Sequence, residues 1–402
     1  MVTSVTGTRA SAGRVNPARR RAVRVGHSWG TAARAAGVEA TLDALQLADP
    51  RLLVVFASFG YDLPDLLEGV GSVAGDVPVI GCSTAGEIGP GPALSRGVVV
   101  ICLGGAFTVA TTDAAGLRDR PREVGESIAR GLLPLPDTRY RVTLMLTDSL
   151  AGDQQEMIRG AYGVLGATIP LVGGGAGDDM RLESSYQFHN GRILQEAVVA
   201  ATIGSDDPIG LAARHGWERS GDAMVVTGSA GNHVHTFDDR PALDVYLRRH
   251  AAPPGLEADQ QKFMEFALTR PLTVARRSEP AVRHVLGCDP ASRTLICAGS
   301  IPRGAAAWLA SGGVESTLAA TDDACADAIG QLGEVPLLAL LVFDCVGRRA
   351  VLGDEGTLTE RRFMTDRAGP APLAGFYSYG EIARTKGVVG YHNQTVLAVA
   401  LS

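Results

Sequence analysis

Apolar residues along this chain come in short runs separated by amphipathic stretches, the pattern of buried strands alternating with surface helices. Leu52 to Ala57 is an apolar, β-branched run that predicts a strand, and Val77 to Gly81 predicts another. Between them Leu63 to Val73 has helical spacing and opens on Asp62 and Pro64, a capping side chain followed by a first-turn proline. Thr31 to Ala48 also reads as a helix.

The order then recurs. A shift of 92 positions lays Pro78-Val-Ile-Gly81 on Pro170-Leu-Val-Gly173, Leu52 to Phe56 on Leu144 to Asp148, and the intervening helix on Gly152 to Leu165. A shift of about 100 lays R96-G-V-V-V-I-C-L-G104 on E196-A-V-V-A-A-T-I-G204. The expectation is a mixed α/β (α+β) fold whose N-terminal domain, residues 28–250, holds two duplicated strand-helix-strand-strand units. Strands at Leu211 to Glu218, Met224 to Gly228 and Val234 to Phe237 and a helix at Ala242 to His250 complete it. A251-A-P-P-G255 reads as a linker, because two prolines interrupt hydrogen bonding. Residues 256–402 then form a second mixed α/β domain, with strands at Val282 to Gly287, Thr294 to Ala298, Pro336 to Asp344 and Gly390 to Leu401 and a helix at Asp322 to Leu332.

Composition sharpens this picture. The 402 residues are 46% hydrophobic and 20% charged, ample for a buried core in two or three domains. A net charge of -6 gives no basic field for nucleic acid or an anionic membrane. Residues 1–27 carry Arg9, Arg14, Arg19, Arg20, Arg21 and Arg24 without an acid, and read as a flexible, disordered basic tail. Six scattered cysteines lack a C-x-x-C pair and suit reduced thiols in a cytoplasmic protein. No apolar stretch is long enough to span a bilayer, and the N-terminus has no signal-peptide core.

Chemistry-bearing residues cluster where strands end. G81-C-S-T-A-G86 lacks the helix that a nucleophile elbow requires, because Gly89, Pro90, Gly91 and Pro92 come next. Cys82 reads as a small buried residue, with an enzyme using it as nucleophile on an acyl or amide substrate as the alternative. Ser83, Thr84 and Glu87 could instead hold a polar ligand. The second copy reads G174-G-A-G-D-D179, and beyond it Tyr186 and Phe188 alternate as in a strand, so a dinucleotide fingerprint is unsupported. Asp178 and Asp179 could hold a cation or cap a turn. F343-D-C-V-G-R-R349 sets two arginines behind a strand, fit to clamp a carboxylate or pin an interface. H233-V-H235 puts two imidazoles on one strand face without a third ligand, so no metal site is expected.

Taken in order, V79-I-G-C-S-T-A-G-E-I88, G173-G-G-A-G177, C345-V-G-R348, G375-F-Y-S-Y-G-E-I382 and H392-N-Q-T395 resemble the FIST sensory family, N-terminal part then C-terminal part, over residues 28–402. The resemblance implies a signal-input protein that binds a small ligand, an amino-acid-like metabolite or haem with nitric oxide. It implies a stand-alone bacterial member, read by a separate histidine kinase or cyclic-dinucleotide enzyme. By position it marks Gly81, Cys82, Ser83, Thr84, Gly86 and Glu87 in the first part, and Arg348, Gly380, Glu381, His392 and Asn393 in the second. Were haem bound, His392 is the first candidate for its iron and His215 the second. The expected site is a cleft between the domains, with Ser83, Thr84 and Glu87 facing Arg348, Glu381 and Asn393.

Overall fold

A computed structural model describes residues 20–91, 96–275, 280–384 and 390–402. One connectivity occurs in it three times. The first unit runs β1 (Ala22–Ser28), α1 (Ala33–Ala44), β2 (Pro50–Ser58), α2 (Leu63–Ala74), β3 (Val79–Thr84), β4 (Glu87–Ile88) and β5 (Val98–Gly104). The second runs β6 (Thr108–Ala115), α3 (Pro121–Gly131), β7 (Tyr140–Thr147), α4 (Gln154–Leu165), β8 (Leu171–Gly175), β9 (Gln187–His189), β10 (Arg192–Leu194) and β11 (Ala197–Ser205).

The third unit opens with β12 (Ile209–Arg214) and is then interrupted by an insert. That insert comprises β13 (Glu218–Ala230), β14 (His233–Phe237), β15 (Arg240–Pro241), α5 (Ala242–Arg249), α6 (Gln260–Leu268), β16 (Leu272–Val274), β17 (Ala281–Arg283), β18 (Val285–Asp289), β19 (Thr294–Cys297) and β20 (Ala306–Ser311), and its strands make their own sheet. The third unit resumes with α7 (Val314–Gly330), β21 (Ala339–Cys345), α8 (Val346–Ala368), β22 (Leu373–Ser378), β23 (Glu381–Arg384), β24 (Tyr391–His392) and β25 (Val396–Leu401).

The three sheets share one strand order: β1-β5-β2-β3, β6-β11-β7-β8 and β12-β25-β21-β22. In each, the last two strands are parallel and the others antiparallel. Each unit also lends a strand to another. β4 pairs with β22, β23 with β8, and β9 with β3, so the loans close a ring. The inner faces of all three sheets meet in one core, where Phe56 lies 4.7 Å from Phe376 and Phe376 lies 5.5 Å from Phe343. Each outer face is covered by its own helix pair, α1 and α2, α3 and α4, or α7 and α8. Both faces of the central strands are therefore buried, which is why their sequences are continuous apolar runs.

Several expectations change against this architecture. The basic tail reaches less far than residue 27, because Ala22–Ser28 pair with β5; residues 1–19 lie outside the described ones. The stretch 251–255 does not part the sheets, since β12 pairs with β25 and β8 with β23 across it. Strand β3 continues through Cys82, Ser83 and Thr84, where the sequence suggests a turn; the turn itself is Ala85–Gly86. Helix α7 starts at Val314, earlier than the sequence suggests, and α8 is an element the sequence pattern does not announce.

A glycine in each parallel pair fixes how closely its strands meet. A Cβ on Gly81, Gly173 or Gly375 would stand 2.2, 2.0 or 1.7 Å from the carbonyl oxygen of Val55, Met145 or Val342, the residue opposite. These three glycines occupy the same place in their units.

Candidate functional site

After β3 and after β22 the chain makes the same small structure. Thr84 Oγ1 donates to Glu87 Oε1, and Ser378 Oγ donates to Glu381 Oε1 at 2.8 Å. Gly86 and Gly380, between each hydroxyl and its carboxyl, both have φ of 124°. The other carboxyl oxygen accepts the backbone N–H that precedes the unit's closing strand, from Gly97 to Glu87 Oε2 at 3.1 Å and from Thr395 to Glu381 Oε2 at 3.2 Å. Each glutamate thus ties the turn that starts a lent strand to the strand closing its own sheet. Both are buried, and that burial pushes each carboxyl up to about 8.

The second unit meets the same need differently. Its turn reads A176-G-D178-D179, and the N–H of Glu196, just before β11, is accepted at 3.0 Å by Asp148 Oδ2 at the end of β7. Asp148 Oδ1 also accepts the Ser185 hydroxyl at 2.9 Å. Asp178 is buried and organises the following loop, taking N–H bonds from Leu182, Glu183 and Ser184 at 2.9, 2.7 and 3.0 Å and the Tyr379 hydroxyl. Burial alone would raise its carboxyl, but the hydroxyl and the three amides outweigh burial and hold it below the usual range. Asp179 is left facing outward, with φ of 56°.

Asp179 lines a cleft of ≈ 370 Å³ to which all three units contribute. Ala85 comes from the end of β3, Asp179 and Met180 from the loop after β8, and Val346, Arg349, Ala350, Gly353 and Asp354 from α8 behind β21. The cleft therefore sits beyond the carboxyl ends of parallel strands, where α/β sheets commonly place ligands. Arg349 is held on one side, its Nη1 donating to Ala85 O at 2.8 Å and its guanidinium 5.1 Å from the Tyr377 ring centre. Burial raises the Asp179 carboxyl, against the pull of Arg181, Arg349 and Arg96. Helix α8 breaks at Gly353, where φ is 61°, so a short first segment forms one wall.

None of the residues expected to bind the ligand lines this cleft. Ser83 is buried, donating to Gly177 O at 2.8 Å and accepting Tyr186 N–H at 3.0 Å. Arg348 is fully buried between α7 and α8, bonding Asp344 Oδ1 and Glu360 Oε1, each at 2.7 Å. Burial, with Glu360 adjacent, drives the Asp344 carboxyl well above its ordinary value. Asn393 is buried and its backbone oxygen accepts the Thr395 hydroxyl at 3.0 Å. The structure brings Thr84 to Glu87 and Ser378 to Glu381. It joins the two turns through backbone, Ala85 N–H to Tyr377 O and Tyr377 N–H to Gly86 O. Gly86 is close to one lining residue, since a Cβ there would stand 2.9 Å from Arg349 Nη1.

Two further readings meet the geometry directly. Cys82 is fully buried on β3, and burial, reinforced by Glu87, pushes its thiol well above the ordinary range, so the thiolate needed for attack is disfavoured. The residues present do not fit a haem. The His392 Nε2 is engaged with Ala383 O at 3.2 Å, and neither His392 nor His215 lines the cleft. His215 Nδ1 accepts the Trp217 N–H at 3.0 Å. Among the described residues no group of three or more metal-ligating side chains occurs, and His233 and His235 are exposed.

Residues 51–240 match the FIST N domain and residues 242–384 the FIST C domain. The chain belongs to the FIST family. FIST domains are generally sensory domains for small ligands in signalling proteins. The boundary between the two domain models falls inside the insert, between β15 and α5, so each domain model takes part of the third unit. An uncharacterized protein of Methanocaldococcus jannaschii is 26% identical over 180 residues, which is 42% of this chain. The match covers 34% of that protein's own length. Among the described residues no helix is long and apolar enough to cross a membrane.

Proposed function

We propose that this FIST chain is a cytoplasmic signal-input protein that holds a small amino-acid-like metabolite in the three-unit cleft and passes the bound state to a separate histidine kinase or cyclic-dinucleotide enzyme. The observation that carries this reading is the convergence of Ala85, Asp179 and Arg349, one residue from each unit, on a single ≈ 370 Å³ cavity. Arg349 bonds the Ala85 carbonyl and Asp179 faces the same space, so a ligand carrying both a carboxylate and an ammonium finds a partner for each. Because the wall is shared among units that lend each other strands, occupation of the cleft is felt across the ring of loans. Ser83, Thr84, Glu87, Glu381, Arg348 and Asn393 act as the buried support of that wall.

A thermal-shift screen with the twenty amino acids and hemin tests the reading. At least one amino acid should raise the melting temperature of the parent and fail to do so for Arg349→Ala. A response to hemin alone would contradict it.

A further inference from the structure

The three units give each turn a counterpart, and the counterparts differ at one position. Counting from Gly81, Gly173 and Gly375, which face equivalent carbonyls, Glu87 and Glu381 correspond to Asp179. Two of these carboxyls are buried ties that accept the N–H before the closing strand. In the second unit Asp148 accepts that N–H instead, so the tie exists without Asp179. Asp178, next to it, fixes the loop through three amides and the Tyr379 hydroxyl. Asp179 is thereby released from every structural task its counterparts perform and is presented to the cleft opposite Arg349.

From this we infer that Asp179 is the specificity-determining carboxylate of the cleft, selecting ligands that carry an ammonium or guanidinium group. The inference rests on the cleft reading above and adds which residue recognises which half of the ligand. Asp354 lines the same cavity and adds to its negative side, whereas Arg349 serves the ligand's anionic end. A carboxylate-to-ammonium contact is a charge-assisted hydrogen bond, so its loss weakens binding about tenfold or more.

The test uses n-butylammonium and butyrate as separate end-group probes and 2-aminobutyrate as their combination, followed by saturation-transfer NMR on the full chain. The parent should bind butylammonium and 2-aminobutyrate. Asp179→Asn should lose about tenfold or more toward both while keeping butyrate. Its melting temperature without probe should equal the parent's, whereas Asp148→Asn should melt several degrees lower. Unchanged butylammonium binding by Asp179→Asn overturns the inference and leaves the cleft reading standing. A parent that binds none of the three probes overturns both. A drop in melting temperature for Asp179→Asn as large as that for Asp148→Asn shows Asp179 to be a tie like its counterparts and overturns the inference alone.

Discussion

Replacing Glu381 by glutamine keeps the size of the side chain and removes its ionisation, which makes its effect depend on pH. Glu381 is fully buried, its Oε1 accepting Ser378 Oγ and its Oε2 accepting the Thr395 N–H. Burial raises the folded-state carboxyl from 4.5 to about 8. The folded protein therefore holds a proton that the unfolded chain has released through this whole window. Stability is fully present below about 4.5, falls as pH rises toward about 8, and levels off above it. At about 1.4 kcal/mol per pH unit the loss approaches roughly 5 kcal/mol, an upper bound because local relaxation lets water reach the anion.

Glutamine cannot ionise and escapes this loss. It does set an amide N–H₂ or C=O against a partner chosen for a carboxyl, at a cost of about 1 kcal/mol. Glu381→Gln should thus be less stable than the parent at pH 5 by about 1 kcal/mol and more stable than it at pH 9. Urea unfolding of both proteins from pH 5 to 9, with the stability difference plotted against pH, reads the effect. Groups common to both proteins cancel in that difference. Curves that stay parallel across the window would refute the assignment of Glu381 as a protonated buried tie.

Glu87→Ala and Glu381→Ala each strand a hydroxyl and a backbone N–H and leave a void, so each should lower unfolding stability by about 3–5 kcal/mol in chemical denaturation. Arg348→Ala leaves Asp344 and Glu360 buried together without their cation and should cost about 3–5 kcal/mol, most of which Arg348→Met combined with Asp344→Leu and Glu360→Leu should recover. Alanine at Gly81, Gly173 or Gly375 drives a methyl into an opposing carbonyl, and each variant should appear in the insoluble fraction when expressed. Iodoacetamide should leave Cys82 unmodified in the native protein at pH 8 and label it in urea, as read by peptide mass spectrometry.

The mixed α/β class and most of the first two units are legible in the sequence because their strands are buried on both faces. Runs such as Leu52 to Ala57 then contrast sharply with capped helices such as Asp62 to Ala74. The third unit is harder to see because the insert separates β12 from α7, so no constant shift aligns it. Helix α8 is hidden for a local reason: Gly347, Gly353 and Gly356 lower its helical propensity, and Gly353 breaks it. The strand loans are invisible, since β4 and β23 are too short to carry a periodic signal.

At the site, the sequence marks Thr84, Glu87 and Glu381 as unusual but not which way they point. A hydroxyl and a carboxyl around a glycine look the same whether they meet a ligand or a backbone N–H. The signal for Asp179 is present in the alignment of the first two copies, where a glutamate gives way to an aspartate. Its meaning needs Asp148, which stands at the end of a different strand. Arg349 sits beside the marked Arg348, and only helix α8 turns one inward and the other toward the cleft.

If a small ligand occupies the cleft, filling the cleft abolishes its binding. Ala350 is exposed on its wall, so Ala350→Trp puts an indole into the cavity without disturbing the core. Calorimetric titration of parent and Ala350→Trp with the amino acid that most stabilises the parent should give a clear isotherm for the parent and none for the variant, at equal melting temperatures without ligand. Equal affinities in the two proteins would contradict ligand binding in the cleft.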